Sequence, residues 1–413
     1  MGSQLRKSKK IFYGWWIVIA GTIVNAVATG TYWHGFGAFF DPIVDEFKWS
    51  RALTSIAPAL QRSEGAAFGP FVGVAIIKFG PRNVMLFGII LCGIGFITLS
   101  NTNSLLWFFI STSILTLGLT FGTFLVVSTS VANWFIQKRA LALSAASTGS
   151  GFGGFLVPAL IWLISVQGWR NSLEIIGIGF LIIGIPCALV MRSKPEDYGM
   201  FPDNIDPKES KNLKILKEKN YGTKEALKSQ TFWTFAIVLG ISQLMMSANV
   251  HLIPALTSFG FTRQASGYII GVGVNITNFI GRILSGLFGD RLNKKHILTF
   301  AFFCQCIGLV IFSYSTNMFQ LIFFMVFWGL GFGLSVPTRL AMTGDYFGRT
   351  NYGTILSLIM TVGSIFGVIS PVAVGWGYDV LGNYRQPFLI LALISSISIP
   401  GMYFIQPIDN KSK

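Results

Sequence analysis

An arginine within a long apolar run is the residue best suited to bind a ligand. Arg282 lies in such a run, where a charged side chain costs at least about 2.5 kcal/mol in a bilayer. A guanidinium offers paired N–H donors that match the two oxygens of a carboxylate. The alternative is a structural ion pair with an acidic residue such as Glu64 or Asp345. We favour anion binding.

Other polar residues could help to hold an anion. Asn278 precedes Arg282 by one helical turn and shares its face, and Asn275 precedes it by two turns. Helix–helix hydrogen bonding is an equally good interpretation of both amides. Arg62 is a candidate second anion contact, although an internal ion pair explains it better. Arg339 has the same two interpretations.

Two histidines and one glutamate are candidates for coupling to protons. The interval along the chain from His34 to His251 equals the interval from Trp16 to Trp233. A histidine can hold or release a proton near neutral pH, and Glu64 is an intramembrane carboxylate. The alternative is that the two histidines make local hydrogen bonds at the membrane interface.

The elements that carry these residues are long apolar runs. Of the 413 residues 52% are hydrophobic and 11% are charged, less than half of the charge of a typical soluble domain. A bilayer is crossed by about 20 helical residues, and lipid cannot satisfy exposed backbone groups. We therefore predict an all-α membrane protein of twelve transmembrane helices, at residues 12–36, 54–77, 83–101, 105–133, 140–164, 171–191, 230–256, 265–288, 296–315, 318–343, 352–377 and 386–405.

The basic residues predict the orientation. Twelve spans place both termini on one side, and most of the 31 lysines and arginines lie in loops of that side. The loops of the other side hold Lys48, Arg51, Arg170, Arg263 and Arg385. The positive-inside rule then makes the termini cytoplasmic. The net charge of +15 fits contact with anionic lipid and requires no nucleic acid.

The chain repeats weakly in two halves. Gly73 corresponds to Gly286, and Trp169-Arg170 corresponds to Tyr384-Arg385 at nearly the same offset along the chain. Similar offsets along the whole chain indicate duplication, which commonly places a binding site between the repeats. We predict an N-terminal six-helix bundle (1–191), a cytoplasmic linker loop (192–229) and a C-terminal six-helix bundle (230–413).

The sequence gives no sign of a cofactor, a metal centre or an enzyme site. The four cysteines, at 92, 187, 304 and 306, lie in apolar runs, which favours packing over disulfides. The glycine-rich stretches lie in or beside spans, and no Gly-Lys-Ser/Thr follows them. There are no paired carboxylates and no nucleophile elbow. We also expect the first span to be retained rather than cleaved as a signal peptide.

The loops after the second and eighth spans resemble a motif of the major facilitator superfamily, Gly-x-x-x-Asp-Arg-x-Gly-Arg-Arg. The second half reads Gly286-Leu-Phe-Gly-Asp290-Arg291-Leu-Asn-Lys-Lys, whereas the first half has Ile77 where the aspartate is expected. The resemblance implies that Gly286, Asp290 and Arg291 lock the cytoplasmic helix ends in one state. Arg139, Asp345 and Arg349 are further candidate gate residues.

Within that superfamily the chain resembles the monocarboxylate transporters and the oxalate/formate antiporters. Three motifs show this similarity: Tyr13-Gly-Trp-Trp, the run from Trp134 to Gly149, and Gly281-Arg282. In the last of these, the arginine resembles the family's substrate arginine. His34 falls where monocarboxylate carriers resemble one another in having a lysine. Met360 falls where oxalate carriers have a second cation, which favours a monovalent substrate.

The resemblance implies a monomeric secondary transporter in the cell membrane that carries a small organic anion, such as lactate or pyruvate. Coupling would be proton symport or anion exchange. The alternatives are a superfamily carrier of another small solute (an osmolyte, a sugar or a drug) and a transport-dead membrane sensor. The short linker argues against the sensor.

Overall fold

The described part of the chain folds into α-helices. The computed structural model describes residues 11–49, 51–206 and 220–408. Ten continuous helical segments there are long and apolar enough to cross a membrane. Divided at two glycines, they are α1 (Tyr13–Phe47), α2 and α3 (both in Arg51–Ser100), α4 (Leu105–Trp134), α5 and α6 (both in Arg139–Val190), α7 (Gln230–Ser258), α8 (Gln264–Phe288), α9 (Lys294–Ser313), α10 (Met318–Phe347), α11 (Tyr352–Leu381) and α12 (Arg385–Phe404).

Two pairs of predicted spans are joined without a loop. Gly80 (φ 77°) separates α2 from α3, and Gly168 (φ 75°) separates α5 from α6. Glycine reaches this backbone region without a steric penalty, so one residue suffices to turn the chain. The sequence predicts gaps of several residues there, at 78–82 and 165–170, whereas one glycine makes each turn; the prediction of twelve spans is confirmed.

Helices α1 and α7 are irregular at related positions. A π-helical turn, Thr29–Trp33, directly precedes His34 in α1. A 3-10 turn, Ala248–His251, interrupts α7. Such irregular turns often mark functional sites. Both predicted coupling histidines therefore lie where the regular helix is lost.

The repeat predicted from the sequence recurs in the hydrogen bonds. Arg170, at the start of α6, donates from Nη1 to the carbonyl of Ser100 at 2.6 Å. Arg385, at the start of α12, donates from Nη2 to the carbonyl of Ser315 at 3.5 Å. Donor and acceptor are displaced by the same offset from the first half to the second. The same turn is therefore built twice.

The two halves have separate cores that meet near one end. One cluster of buried side chains runs from Ile17 to Met191 and also includes Leu340, Tyr352 and Leu356 of the second half. Three further clusters lie within the second half, around Phe312, around Phe235 and around Ile297. We call the end where α1 begins and α12 ends the termini side, and the opposite end the far side. The shared core lies toward the termini side.

Candidate functional site

A cavity of about 730 Å³ lies between the halves. Its walls come from α1, α2, α4, α7, α10 and α11. Its lining combines aromatic and aliphatic side chains with a few hydroxyls and amides. The lining includes Trp33, His34, Val250, Arg339, Leu340, Thr343, Leu356, Ser357, Met360 and Ser364.

The cavity faces the far side. Trp33 and Val250 lie in the far halves of α1 and α7 and line it there. Leu340 and Leu356, which belong to the shared core, line it toward the termini side. Between these two residues and the termini side, several hydrogen bonds and ion pairs join the halves. In this conformation a solute would enter from the far side.

Arg282 lies in the contact between the halves and is 7% exposed. Its Nε donates to Oδ1 of Asn278 at 2.9 Å, as the one-turn spacing predicts. Its Nη1 donates to the carbonyl of Ser147 on α5. Ser144, also on α5, donates to the carbonyl of Arg282. The described partners of this guanidinium are neutral oxygens, so they satisfy two of its N–H groups without cancelling its charge.

Close packing of α8 on α10 fixes the position of Arg282. A Cβ atom on Gly333 of α10 would lie 2.1 Å from the carbonyl oxygen of Asn278 and 2.9 Å from the amide nitrogen of Arg282. Both contacts are with backbone, which cannot rotate away. Small residues permit such close approach of membrane helices. Gly333 thus holds α8 with Arg282 directed toward α5.

The other predicted binding residues are distributed differently. His34 lines the cavity. Asn275 is exposed, and its side chain donates to the carbonyl of Gly271 in its own helix at 2.7 Å. His251 contacts the carbonyl of Pro371 on α11 through Nε2 at 2.9 Å. This contact joins α7 to α11.

Glu64 lies on α2 beside α4. It accepts a hydrogen bond from the hydroxyl of Thr116. The next residue on α2, Gly65, lines the cavity. The side chain of Arg62, which is predicted to contact the anion, lies outside the described part of the structure.

Arg339 on α10 lines the cavity directly. Its position in the sequence allows the same two interpretations as that of Arg62: an anion contact or an internal ion pair. Among the described residues its guanidinium has no hydrogen-bond or ion-pair partner. The internal ion pair is therefore not formed within the described part of the chain.

A carboxylate at the start of α5 joins the halves on the termini side. Asp290 accepts hydrogen bonds from the backbone nitrogens of Ala140 at 2.9 Å and Leu141 at 3.0 Å. These amides belong to the first turn of α5, where intrahelical acceptors are missing and the helix dipole favours negative charge. Gly286, one turn earlier on α8, packs against Ser144. Arg291 is exposed.

A buried ion-pair group adjoins this contact. Arg139, 1% exposed, lies 3.0 Å from Asp345 on α10. Lys294 lies 2.8 Å from Asp345 and 3.9 Å from Asp290. Arg349 donates to the carbonyl of Asn133 at 3.2 Å and pairs with a linker carboxylate. The predicted gate residues thus meet at one end of the molecule.

Sequence reasoning missed three participants. Lys294 bridges the two gate aspartates, and its lysine type within the resembled motif was the available signal. Asp203 in the linker accepts from the backbone nitrogens of Ile136 and Gln137, both at 2.7 Å. Ser147 contributes a backbone carbonyl, which no side-chain pattern reveals. The linker therefore orders the loop that leads into α5.

Comparison with known proteins agrees with this architecture. The family model described as Major Facilitator Superfamily matches residues 18–277 and 252–413. Monocarboxylate transporter 13 of Rattus norvegicus is 24% identical over 92% of this chain and 85% of its own length. Monocarboxylate transporter 12 of Xenopus laevis is 26% identical over 91% and 85%.

A solved structure gives the same fold. The human organic anion transporter MFSD10 superposes with a TM-score of 0.70 at 12% identity, covering 94% of this chain and 98% of that one. The resemblance expected from the sequence motifs is confirmed. The chain belongs to the major facilitator superfamily, and its fold is that superfamily's twelve transmembrane helices in two six-helix bundles.

Proposed function

We propose that the protein is a secondary active transporter of a small monovalent organic anion, a monocarboxylate such as lactate or pyruvate. The observation that carries this proposal is the uncompensated charge of Arg282. Its described hydrogen bonds go to the amide oxygen of Asn278 and the backbone carbonyl of Ser147. A buried cation that is not paired within the protein costs free energy, and a bound anion would offset that cost.

The chemistry of a guanidinium selects the ligand class. Arginine has five N–H donors, and the described contacts of Arg282 use two of the nitrogens. The remaining donors suit the two oxygens of one carboxylate. Asn278 orients the guanidinium through Nε. A neutral sugar or osmolyte would leave the positive charge uncompensated, so a carboxylate is favoured over those solutes.

Transport would follow alternating access. The halves are joined on the termini side and separated by a cavity toward the far side. Rocking one bundle against the other would part α5 from α8 and release Arg282 from Ser147. The same motion would therefore open the termini side and free the anion-binding group.

The coupling mode and the membrane orientation form part of the proposal. His34, His251 and Glu64 are the candidate proton-coupling residues, and anion exchange is the other coupling mode. The excess of lysine and arginine on the termini side supports a cytoplasmic location of both termini in the cell membrane. The names of the two monocarboxylate transporter relatives agree with the proposed substrate class.

The test is uptake into proteoliposomes. The purified full chain is supplied with labelled acetate, pyruvate, L-lactate and butyrate, with and without a pH gradient. We expect uptake of at least one of them, and a loss of about 30-fold or more in kcat/KM for Arg282→Gln, since a charge-assisted hydrogen bond contributes about 1.5–3 kcal/mol.

The matched control removes a charge far from the cavity. Lys224 is exposed in the short helix Thr223–Lys228, and Lys224→Gln should transport like the parent. Uptake of sugars or osmolytes in place of all four acids would contradict the proposal. So would unchanged kinetics in Arg282→Gln.

A further inference from the structure

A second intramembrane arginine, Arg339, is half-buried and is placed differently from Arg282. It lines the cavity that faces the far side, whereas the described contacts of Arg282 lie in the joint between α5 and α8. Its guanidinium has no hydrogen-bond or ion-pair partner among the described residues. An unpaired cation in an apolar wall is costly and requires a compensating ligand.

The neighbouring gate carboxylate cannot compensate it from its observed position. Asp345 is six residues further along α10, which turns it by about 240° around the helix axis from Arg339. That carboxylate pairs with Arg139 and Lys294 between the halves. Arg339 therefore projects into the cavity while Asp345 projects into the gate.

The cavity wall around Arg339 offers hydrogen-bonding groups but no opposing charge. Among its described lining residues there is no aspartate or glutamate. Hydroxyl groups come from Thr343 on the same helix and from Ser357 and Ser364 on α11. In this structure each hydroxyl donates to a backbone carbonyl of its own helix, and rotation about its C–O bond would let it donate to an anion instead. The described surroundings of Arg339 therefore offer hydroxyl groups that a bound carboxylate could recruit.

We propose that Arg339 is the anion-capture site of the conformation open to the far side, with Thr343, Ser357 and Ser364 around the bound carboxylate. This rests on the proposed function, and it assigns a separate first contact for the same substrate. Arg282 becomes available only when the α5–α8 joint parts. The anion then passes from one guanidinium to the other as the carrier changes state.

The test measures protection of a cysteine in the cavity wall. Met360→Cys introduces a thiol on the α11 wall, while the four native cysteines are buried. Full-length protein in proteoliposomes is treated with a membrane-impermeant, cationic methanethiosulfonate, after its uptake has been measured. Acetate, pyruvate, L-lactate and butyrate are titrated as protecting probes, and the parent protein, which keeps Met360, gives the background.

The expected result separates the two arginines. Adding Arg339→Gln should raise the half-protecting concentration at least about tenfold, as loss of one charge-assisted hydrogen bond predicts. Arg339→Lys should lie between the two. Arg282→Gln should change it by less than about threefold, because that side chain is held in the joint. Without probe, no variant should label more slowly than the Met360→Cys protein, because loss of a cation favours a cationic reagent, and this shows that the cavity is intact.

Two results would count against the idea in different ways. Equal protection in the Met360→Cys protein and its Arg339→Gln variant would overturn the capture site while leaving carboxylate transport standing. No protection and no uptake with any of the four acids would instead remove the proposed function itself.

Discussion

Two contacts close the termini side, and they are built from different chemistry although the repeat relates them. The polar seam joins α5 to α8 through Asp290 and the first-turn amides of α5. The small-residue seam joins α2 to α11, where Gly73 lies against the backbone of Thr354. One seam is held by charge and direction, and the other by close approach.

The difference begins at one residue of the repeated motif. Ile77 stands where the first half should carry an aspartate, and it is 53% exposed. The start of α11 accordingly lacks the cap that α5 receives, and its N-cap residue, Asn351, makes no side-chain capping bond. The hydroxyl of Thr354 has no hydrogen-bond partner in the described structure. The small-residue seam therefore lacks a directional lock.

This asymmetry concentrates control of the gate in one place. Rocking of the halves must open both seams. Among the described residues, only those of the polar seam include an acidic side chain that caps a helix across the interface. Lys294 and Arg139 add charge to that side. Changes in the polar seam should therefore shift the carrier between its states more strongly than changes in the other seam.

The largest effect is expected from Asp290→Asn. An amide keeps one acceptor but loses the charge that the α5 amides and Lys294 interact with. We expect the closed termini side to lose about 2 kcal/mol, which is roughly a 30-fold shift toward opening. Spin labels at the exposed positions Arg82 and Leu292 would report it as a longer inter-half distance by pulsed electron paramagnetic resonance.

The control for that variant lies at the far side. Asp379 is an exposed carboxylate near the far end of α11. Asp379→Asn should leave the distance between the two labels unchanged. An unaltered distance in Asp290→Asn would show that the polar seam does not hold the closed state.

A smaller effect is expected from Gly73→Ala in the other seam. The added Cβ would lie 2.5 Å from the Cα of Thr354 and 2.7 Å from its nitrogen, so α2 and α11 would have to separate. Overpacking of this kind costs about 1–3 kcal/mol, and we expect a value near the lower end because one methyl group is added. The same spin-label pair should show a partial shift toward the open termini side.

A matched variant tests whether the steric contact is responsible. A Cβ on Gly69, one turn away on the same helix face, would meet Ser357 at an ordinary 3.5 Å. Gly69→Ala should therefore leave the distance distribution as it is. If both alanine variants behave alike, close approach at Gly73 does not control the seam.

The sequence predicted the parts of this comparison that depend on composition and motif. Apolar runs of bilayer length fix the spans, because lipid offers the backbone no other partner. The motif located Asp290, and the repeat located Ile77 as the missing counterpart. The turns at Gly80 and Gly168 were placed correctly, although one glycine replaced each expected loop.

The parts that escaped prediction depend on which way a side chain points across a helix contact. Arg282 and Arg339 are both arginines in apolar runs, and the sequence does not separate the one in the joint from the one in the cavity. The backbone carbonyl of Ser147 carries no side-chain signal. Lys294 and Asp345 lie far apart in the sequence, and only the packing of α9 on α10 brings them into contact.

The smallest effect, and the sharpest test of the comparison, is expected from Ile77→Asp. Position 77 is half exposed, so a carboxylate can be accommodated without being buried. By the repeat, it would face the first-turn amides of α11 at Tyr352 and Gly353, as Asp290 faces those of α5. A carboxylate at a helix N-terminus contributes about 0.3–1 kcal/mol. We expect a shift of a few fold toward the closed termini side, and a partial rescue when combined with Asp290→Asn.

Ile77→Asn, which adds polarity without charge, should do less. A shift toward opening in Ile77→Asp would mean that the two seams are not equivalent by the repeat, and that the isoleucine fills a role of its own.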